Sequence, residues 1–200
     1  MPALASNTDV RQRLLDATDR LLARYGYRKM TIEDLAREVG IGKGSVYLHF
    51  PSKEALVLAH IDRIVERVLD ELKRIAARVA DAGEKMREML LARVLIRFDA
   101  VQHYTESLDE LLGSLRSKVI ERRKQYFKDE AQVLAAVIRD GQTSGVFRAG
   151  KSQEIAAAFI TATNALLPAS LSTQELGERA QVRRRVLAVA ELMLGGLYQP

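Results

Sequence analysis

Thr31-Ile32-Glu33-Asp34-Leu35-Ala36-Arg37-Glu38-Val39-Gly40-Ile41-Gly42-Lys43-Gly44-Ser45-Val46-Tyr47-Leu48-His49-Phe50 is the stretch that decides the fold. Ile32, Leu35, Ala36 and Val39 recur at three and four, so residues 31–39 read as a short amphipathic helix. Thr31 stands at its N-cap, with Asp34 in the capping-box position. Gly40-Ile41-Gly42 reads as a turn, and a third short helix follows at about 43–49. Two short helices joined by a glycine-containing turn have the layout of a helix-turn-helix.

At about 100° per residue, Val46 and Phe50 fall about 40° apart on that third helix and point inward with Ile41. Gly44, Ser45, Tyr47 and Leu48 fall on the opposite side. That face suits a DNA groove. A serine can bond to base or phosphate, a tyrosine can reach phosphate, and a leucine can touch a thymine methyl. A glycine lets the backbone come close. Lys43 opens the helix and Lys53 opens the next, both placed for phosphate.

Upstream, Leu14, Leu15, Thr18, Leu21, Leu22 and Tyr25 mark one face of a first helix, about 9–25, with Gly26 as its stop. Downstream, Pro51 disfavours helix at Phe50, and Ser52 caps a long helix reaching about Val79. The pattern then predicts helices at about 84–101, 105–113, 115–144, 152–171 and 174–195, with a loop at Gly145-Val146-Phe147-Arg148-Ala149-Gly150. On the helix at 84–101, Met86, Leu90, Val94 and Val101 form one stripe. The fold class is all-α. A three-helix head over residues 1–51 is followed by a larger helical body over 52–200.

The stretch from Thr31 to Leu56, with Gly26-Tyr27 before it, resembles the DNA-binding region of TetR-family transcriptional regulators. Turn glycines, spacing and the Tyr47-x-x-Phe50-x-x-Lys53 frame all agree. Gly141 through Arg148 resembles a weaker family pattern before the final two helices. The resemblance implies a homodimer with an N-terminal operator-binding domain and a C-terminal domain for ligand binding and dimerisation. By that analogy Thr31, Lys43, Ser45, Tyr47 and Lys53 contact DNA; the outward face adds Gly44 and Leu48. Two positions depart from the common pattern. Gly42 stands where a serine or threonine often caps, and Leu48 stands where a histidine is frequent.

The composition fits an ordinary folded chain: 200 residues, 48% hydrophobic and 28% charged, with 12 Gly and 4 Pro. There is no cysteine, so disulfides, thiol nucleophiles and Cys-ligated zinc are excluded. The net charge is +5, and residues 1–53 carry nine basic against six acidic side chains. That balance is compatible with a polyanion without identifying one. Neither a signal peptide nor an apolar membrane span is expected, which points to a cytoplasmic protein.

Catalytic chemistry finds no support. Gly40-x-Gly42-Lys43-Gly44-Ser45 fails as a phosphate-binding loop, because Gly44 stands where Ser or Thr must follow the lysine. His49, His60 and His103 form no ligand-spaced pair on one helix. No enzyme activity, cofactor or metal is expected.

The inducer would be a small molecule. Met89, Phe98, His103, Tyr104, Tyr126 and Phe159 are its candidate contacts, although most side chains of this kind are simply core. Arg122-Arg123-Lys124, with Lys118 and Lys128, reads as a solvated face or as an anion-recognising rim of that site. The helices at about 152–171 and 174–195 are rich in Ala and other apolar residues. They are candidates for a two-fold seam between protomers, with burial within one chain as the alternative. The expected partners are therefore double-stranded operator DNA, a second copy of the chain and a small-molecule inducer.

Overall fold

A computed structural model describes residues 7–104, 108–168 and 177–199. Eight α-helices account for it: α1 (Asn7–Lys29), α2 (Ile32–Val39), α3 (Lys43–His49), α4 (Lys53–Ala76), α5 (Ala82–Val101), α6 (Leu108–Thr143), α7 (Ser152–Asn164) and α8 (Arg179–Gly195). The chain forms two compact units. The first comprises residues 1–63 and 102–119, and the second comprises 64–101 and 120–200. The unit holding the helix-turn-helix therefore runs past residue 51 and takes in a second segment far along the chain.

In the first unit α2 packs on both α1 and α3. Its core is Leu14, Leu15, Leu21, Leu22, Leu35, Val39, Val46 and Phe50, each at most 4% exposed. α1 kinks at Gly26, whose backbone (φ 73°, ψ 172°) is open essentially to glycine alone. The residues 102–119 are tied to this unit by Arg28–Glu110 (3.5 Å) and by a Lys118–Glu54 pair.

The second unit is built on α5, which packs against α8 and α7. Met86, Leu90 and Val94 of the α5 stripe are fully buried, whereas Val101 is only half-buried. From α8, Val182, Val186, Ala190 and Leu194 face the core, spaced for one side of a helix. α6 ends at Thr143, and Gly145 (φ 76°) then turns the chain so that the amides of Val146 and Phe147 return to the Gly141 carbonyl at 2.9 and 3.0 Å. The next residues pair with the C-terminal segment: Arg148 N–H donates to the Leu197 carbonyl and Gln199 N–H to that of Val146. Phe147 is thereby sealed against Tyr198, with ring centroids 5.6 Å apart.

Several helix boundaries differ from the sequence reading: α1 runs through Gly26 to Lys29 rather than stopping at 25, α4 ends at Ala76 rather than Val79, and three later ones have a local cause. The expected break near residue 114 is absent, because α6 carries Gly113 and Ser114 within one 36-residue helix. One interior glycine costs a helix only about 1 kcal/mol, which the surrounding turns absorb. α7 stops at Asn164 rather than 171. There Leu166 and Leu167 bond back to Thr163 and Asn164 in a tightened turn before Pro168, which lacks an N–H. α8 begins at Arg179, after Gly177 at φ 66°. The residues 169–171 and 174–176 expected in these two helices lie outside the described residues.

Candidate nucleic-acid interface

The helix-turn-helix is assembled by local capping. Thr31 accepts from the Asp34 amide at 3.1 Å, and the Asp34 carboxylate accepts from the Thr31 amide and hydroxyl at 3.2 and 2.6 Å. Those bonds hold the Asp34 carboxyl below the ordinary carboxylate range. α2 ends at Gly40 in the left-handed conformation (φ 75°), which turns the chain into α3. Gly42 caps α3 without a side-chain bond. This leaves the first amides of α3 without the oxygen that a serine or threonine would offer there.

The faces of α3 divide as the periodicity requires. Val46 is completely buried and Phe50 is 3% exposed, with Ile41 half-buried beside them. On the outer side Leu48 is 87% exposed and Tyr47 45% exposed. Gly44 is exposed with open space where a Cβ would stand, and Ser45 is half-buried. Lys43 is exposed and pairs with Glu33 at 2.6 Å, which raises the pKa of its ammonium. His49 is half-buried, as a packing residue would be.

Besides Lys43, two further candidate contacts are already engaged. The Thr31 hydroxyl hydrogen goes to Asp34. The Lys53 ammonium donates to the Tyr27, Met30 and Arg28 carbonyls at 2.8, 3.1 and 3.4 Å, and lies 4.6 Å from the Tyr27 ring centroid. Lys53 thus satisfies the open carbonyl end of α1. A phosphate that reaches it must share or displace one of those bonds.

The six candidate ligand contacts are divided between the units. Met89, Phe98 and Phe159 lie in the apolar core of the second unit, at most 3% exposed, and Tyr126 there is half-buried. His103 and Tyr104 belong to the first unit, the former exposed and the latter buried.

Sequence reasoning missed what Tyr104 does. Its phenol donates to Asp19, so the oxygen is free to accept from Nε2 of buried His60 at 2.9 Å. Nδ1 of His60 then accepts from Arg63 at 3.4 Å, and Arg63 pairs with Asp16. This chain of bonds fastens Tyr104 to α1 and α4. Three of its bonds join residues 44, 47 and 85 positions apart, and no local spacing announces them.

Comparison with known proteins agrees with this geometry. The family model described as "Bacterial regulatory proteins, tetR family" matches residues 14–60. The HTH-type transcriptional regulator YerO of Bacillus subtilis is 31% identical over 117 residues, 58% of this chain and 40% of YerO. The HTH-type transcriptional repressor KstR2 of Rhodococcus jostii is 29% identical over 160 residues, 76% of this chain and 75% of KstR2. A transcriptional regulator from Cytophaga hutchinsonii has the same fold, with TM-score 0.79, 22% identity, and coverage of 94% of this chain and 98% of that one. A structure described as the molecular basis for control of antibiotic production by bacterial hormones matches at TM-score 0.69 and 26% identity, covering 94% and 97%. Among the described residues no cluster of His, Cys, Asp and Glu could hold a metal ion, and no helix is long and apolar enough to cross a membrane. Over residues 14–60 the capped helix-turn-helix, with its outward Tyr47-Leu48 face, matches the TetR family of bacterial regulators, and the chain as a whole resembles transcriptional regulators of that kind.

Proposed function

We propose that this regulator is a cytoplasmic repressor that binds a near-palindromic operator as a homodimer and leaves it when a small-molecule inducer binds. The observation that carries the DNA reading is Leu48. A leucine 87% exposed at the tip of a short helix gains nothing for folding. Against the major groove it would cover a thymine methyl, with Gly44 allowing close approach. Lys43 and Tyr47 would hold phosphates, with Thr31, Ser45 and Lys53 at the margin of the footprint.

Repression is supported by the name of the KstR2 relative, and response to a small signal by the hormone-linked structural relative. For the dimer, α7 leaves Ala157, Ala158, Thr161 and Ala165 exposed, and α8 leaves Ala188 and Leu192 exposed. Small side chains and a leucine 80% exposed suit an isologous helix seam. Two copies would then present two α3 helices to successive major grooves. An inducer acts by binding the released state better, with a coupling of about 1–3 kcal/mol.

Substitution of Lys43 and Tyr47 tests the site. Lys43→Ala and Tyr47→Ala should weaken operator binding at least tenfold while circular dichroism and the oligomeric state stay unchanged. Unaltered affinity in both variants would contradict the assignment.

A further inference from the structure

The second unit gathers more guanidinium than carboxylate at the edge of its core. Arg93 of α5 is fully buried, and each arm of its guanidinium is bound. Nε donates to Glu130 at 2.6 Å, one terminal nitrogen to the Thr163 hydroxyl at 2.7 Å, and the other to Asn164 at 2.5 Å. Burial pushes this guanidinium down to about 10, despite Glu130. One helical turn on, Arg97 donates to the Arg93 carbonyl at 2.8 Å and to the second oxygen of the same Glu130. Its side chain is 11% exposed.

A third guanidinium joins them. Arg93 and Arg123 lie 5.0 and 5.4 Å from the centroid of one ring, that of Phe127. Among the described residues, Glu130 is the one carboxylate paired with any of the three arginines. Both of its oxygens are taken. Two guanidiniums on Glu130 and a third across the Phe127 ring leave an excess of two positive charges, carried by half-buried Arg97 and Arg123 beside the sealed Arg93–Glu130 pair. Like charges so placed repel, and a structural ion pair needs only one of them. Arg97 and Arg123 keep unused N–H donors, since each guanidinium carries five. Phe127 packs on the apolar core, and Met89 stands on the same face of α5 as Arg93 and Arg97.

We propose that Arg97 and Arg123 bind the carboxylate of an amphipathic small molecule whose apolar part lies along Phe127. The anion would neutralise the excess charge in the bidentate geometry that guanidinium favours. The site deepens the regulator reading, on which its effect on DNA rests; binding itself does not depend on that reading.

Calorimetry with the full chain separates the two. The probes are the straight-chain carboxylates from octanoate to dodecanoate, below their micelle concentrations, each against the alcohol of equal length. The expected result is carboxylate binding at least about tenfold tighter than alcohol binding, the scale of a charge-assisted bidentate contact. Arg97→Gln and Arg123→Gln should each remove that preference and leave alcohol binding unchanged. Arg139→Gln, exposed elsewhere on α6, should keep it. Arg123 is partly exposed, so its variant tests the site without risking the buried pair. Failure of every carboxylate to bind, equal binding of carboxylate and alcohol, or a preference that survives both substitutions would overturn the proposal. Carboxylate binding that leaves operator affinity unchanged would support the site and contradict the inducer-release reading. Operator release by a neutral compound, with no carboxylate bound, would do the reverse.

Discussion

Glu130 shows how much one side chain can carry. It is fully buried and its two oxygens hold two guanidiniums, of which Arg93 is also fully buried. Glu130→Gln keeps the shape and removes the charge, stranding both cations. Breaking a buried pair from one side costs about 3–5 kcal/mol. Urea unfolding of the variant should show that loss as a lower midpoint with an unchanged slope. A midpoint within error of the wild type would mean that water reaches the pair. The cluster was partly legible in the sequence. Arg93 interrupts the apolar stripe that runs through Met86, Met89, Leu90 and Val94, and a charge inside a core face needs a partner. Which partner was not legible, because Glu130 and Thr163 lie 37 and 70 residues away.

At the scale of elements, the short helices are specified locally and the long ones are not. Thr31, Asp34, Gly40 and Ser52 punctuate the chain by side-chain or backbone chemistry that acts within four residues, so the helix-turn-helix was readable without tertiary information. Its capping box also gives it an acid limit. The Asp34 pKa is lowered in the folded chain, chiefly by the Thr31 hydroxyl. The contribution is therefore complete above the ordinary carboxylate pKa and is lost as pH falls through the lowered value. Amide exchange should show α2 losing protection in that acid window before α5 does, and Thr31→Ala should abolish the pH dependence. Equal loss in both helices would count against the cap as its source.

Within α6 two glycines stand in opposite circumstances. A Cβ on Gly113 would meet nothing within 4 Å, while one on Gly141 would lie 2.3 Å from the Phe147 ring and 2.9 Å from Ala82. Gly113→Ala should therefore stabilise by about 0.5–1 kcal/mol through helix propensity. Gly141→Ala should destabilise by about 1–3 kcal/mol through overpacking, less that gain. Thermal melts check the pair, and shifts of the same sign would contradict the account. The sequence reading split α6 beside Gly113, where the glycine makes no difference, and named Gly141 as the start of a resemblance pattern. Propensity sees the missing side chain and not the ring that needs its space.

For the molecule as a whole, the proposed operator reading depends on pairing two copies. Leu192, 80% exposed, stands on the outer side of α8 opposite Val186 and Ala190. Leu192→Asp should shift the chain toward monomer in analytical ultracentrifugation and weaken operator binding with it, since each half-site alone gives up the partner's contacts. A dimer that survives this change would place the seam elsewhere. The division of the chain into its two compact units was the least legible feature. Residues 102–119 join the head through Tyr104, Glu110 and Lys118, contacts made across 44 to 85 positions of sequence.

The central claim is that two α3 helices read a two-fold sequence. Selection of bound duplexes from a random pool, with the winners titrated at two salt concentrations, tests it most directly. The expected winner is a near-palindrome whose half-sites lie about one helical turn apart, bound far more tightly than random duplex at both salts. Uniform binding of all duplexes that collapses as salt rises would show phosphate attraction alone and contradict it.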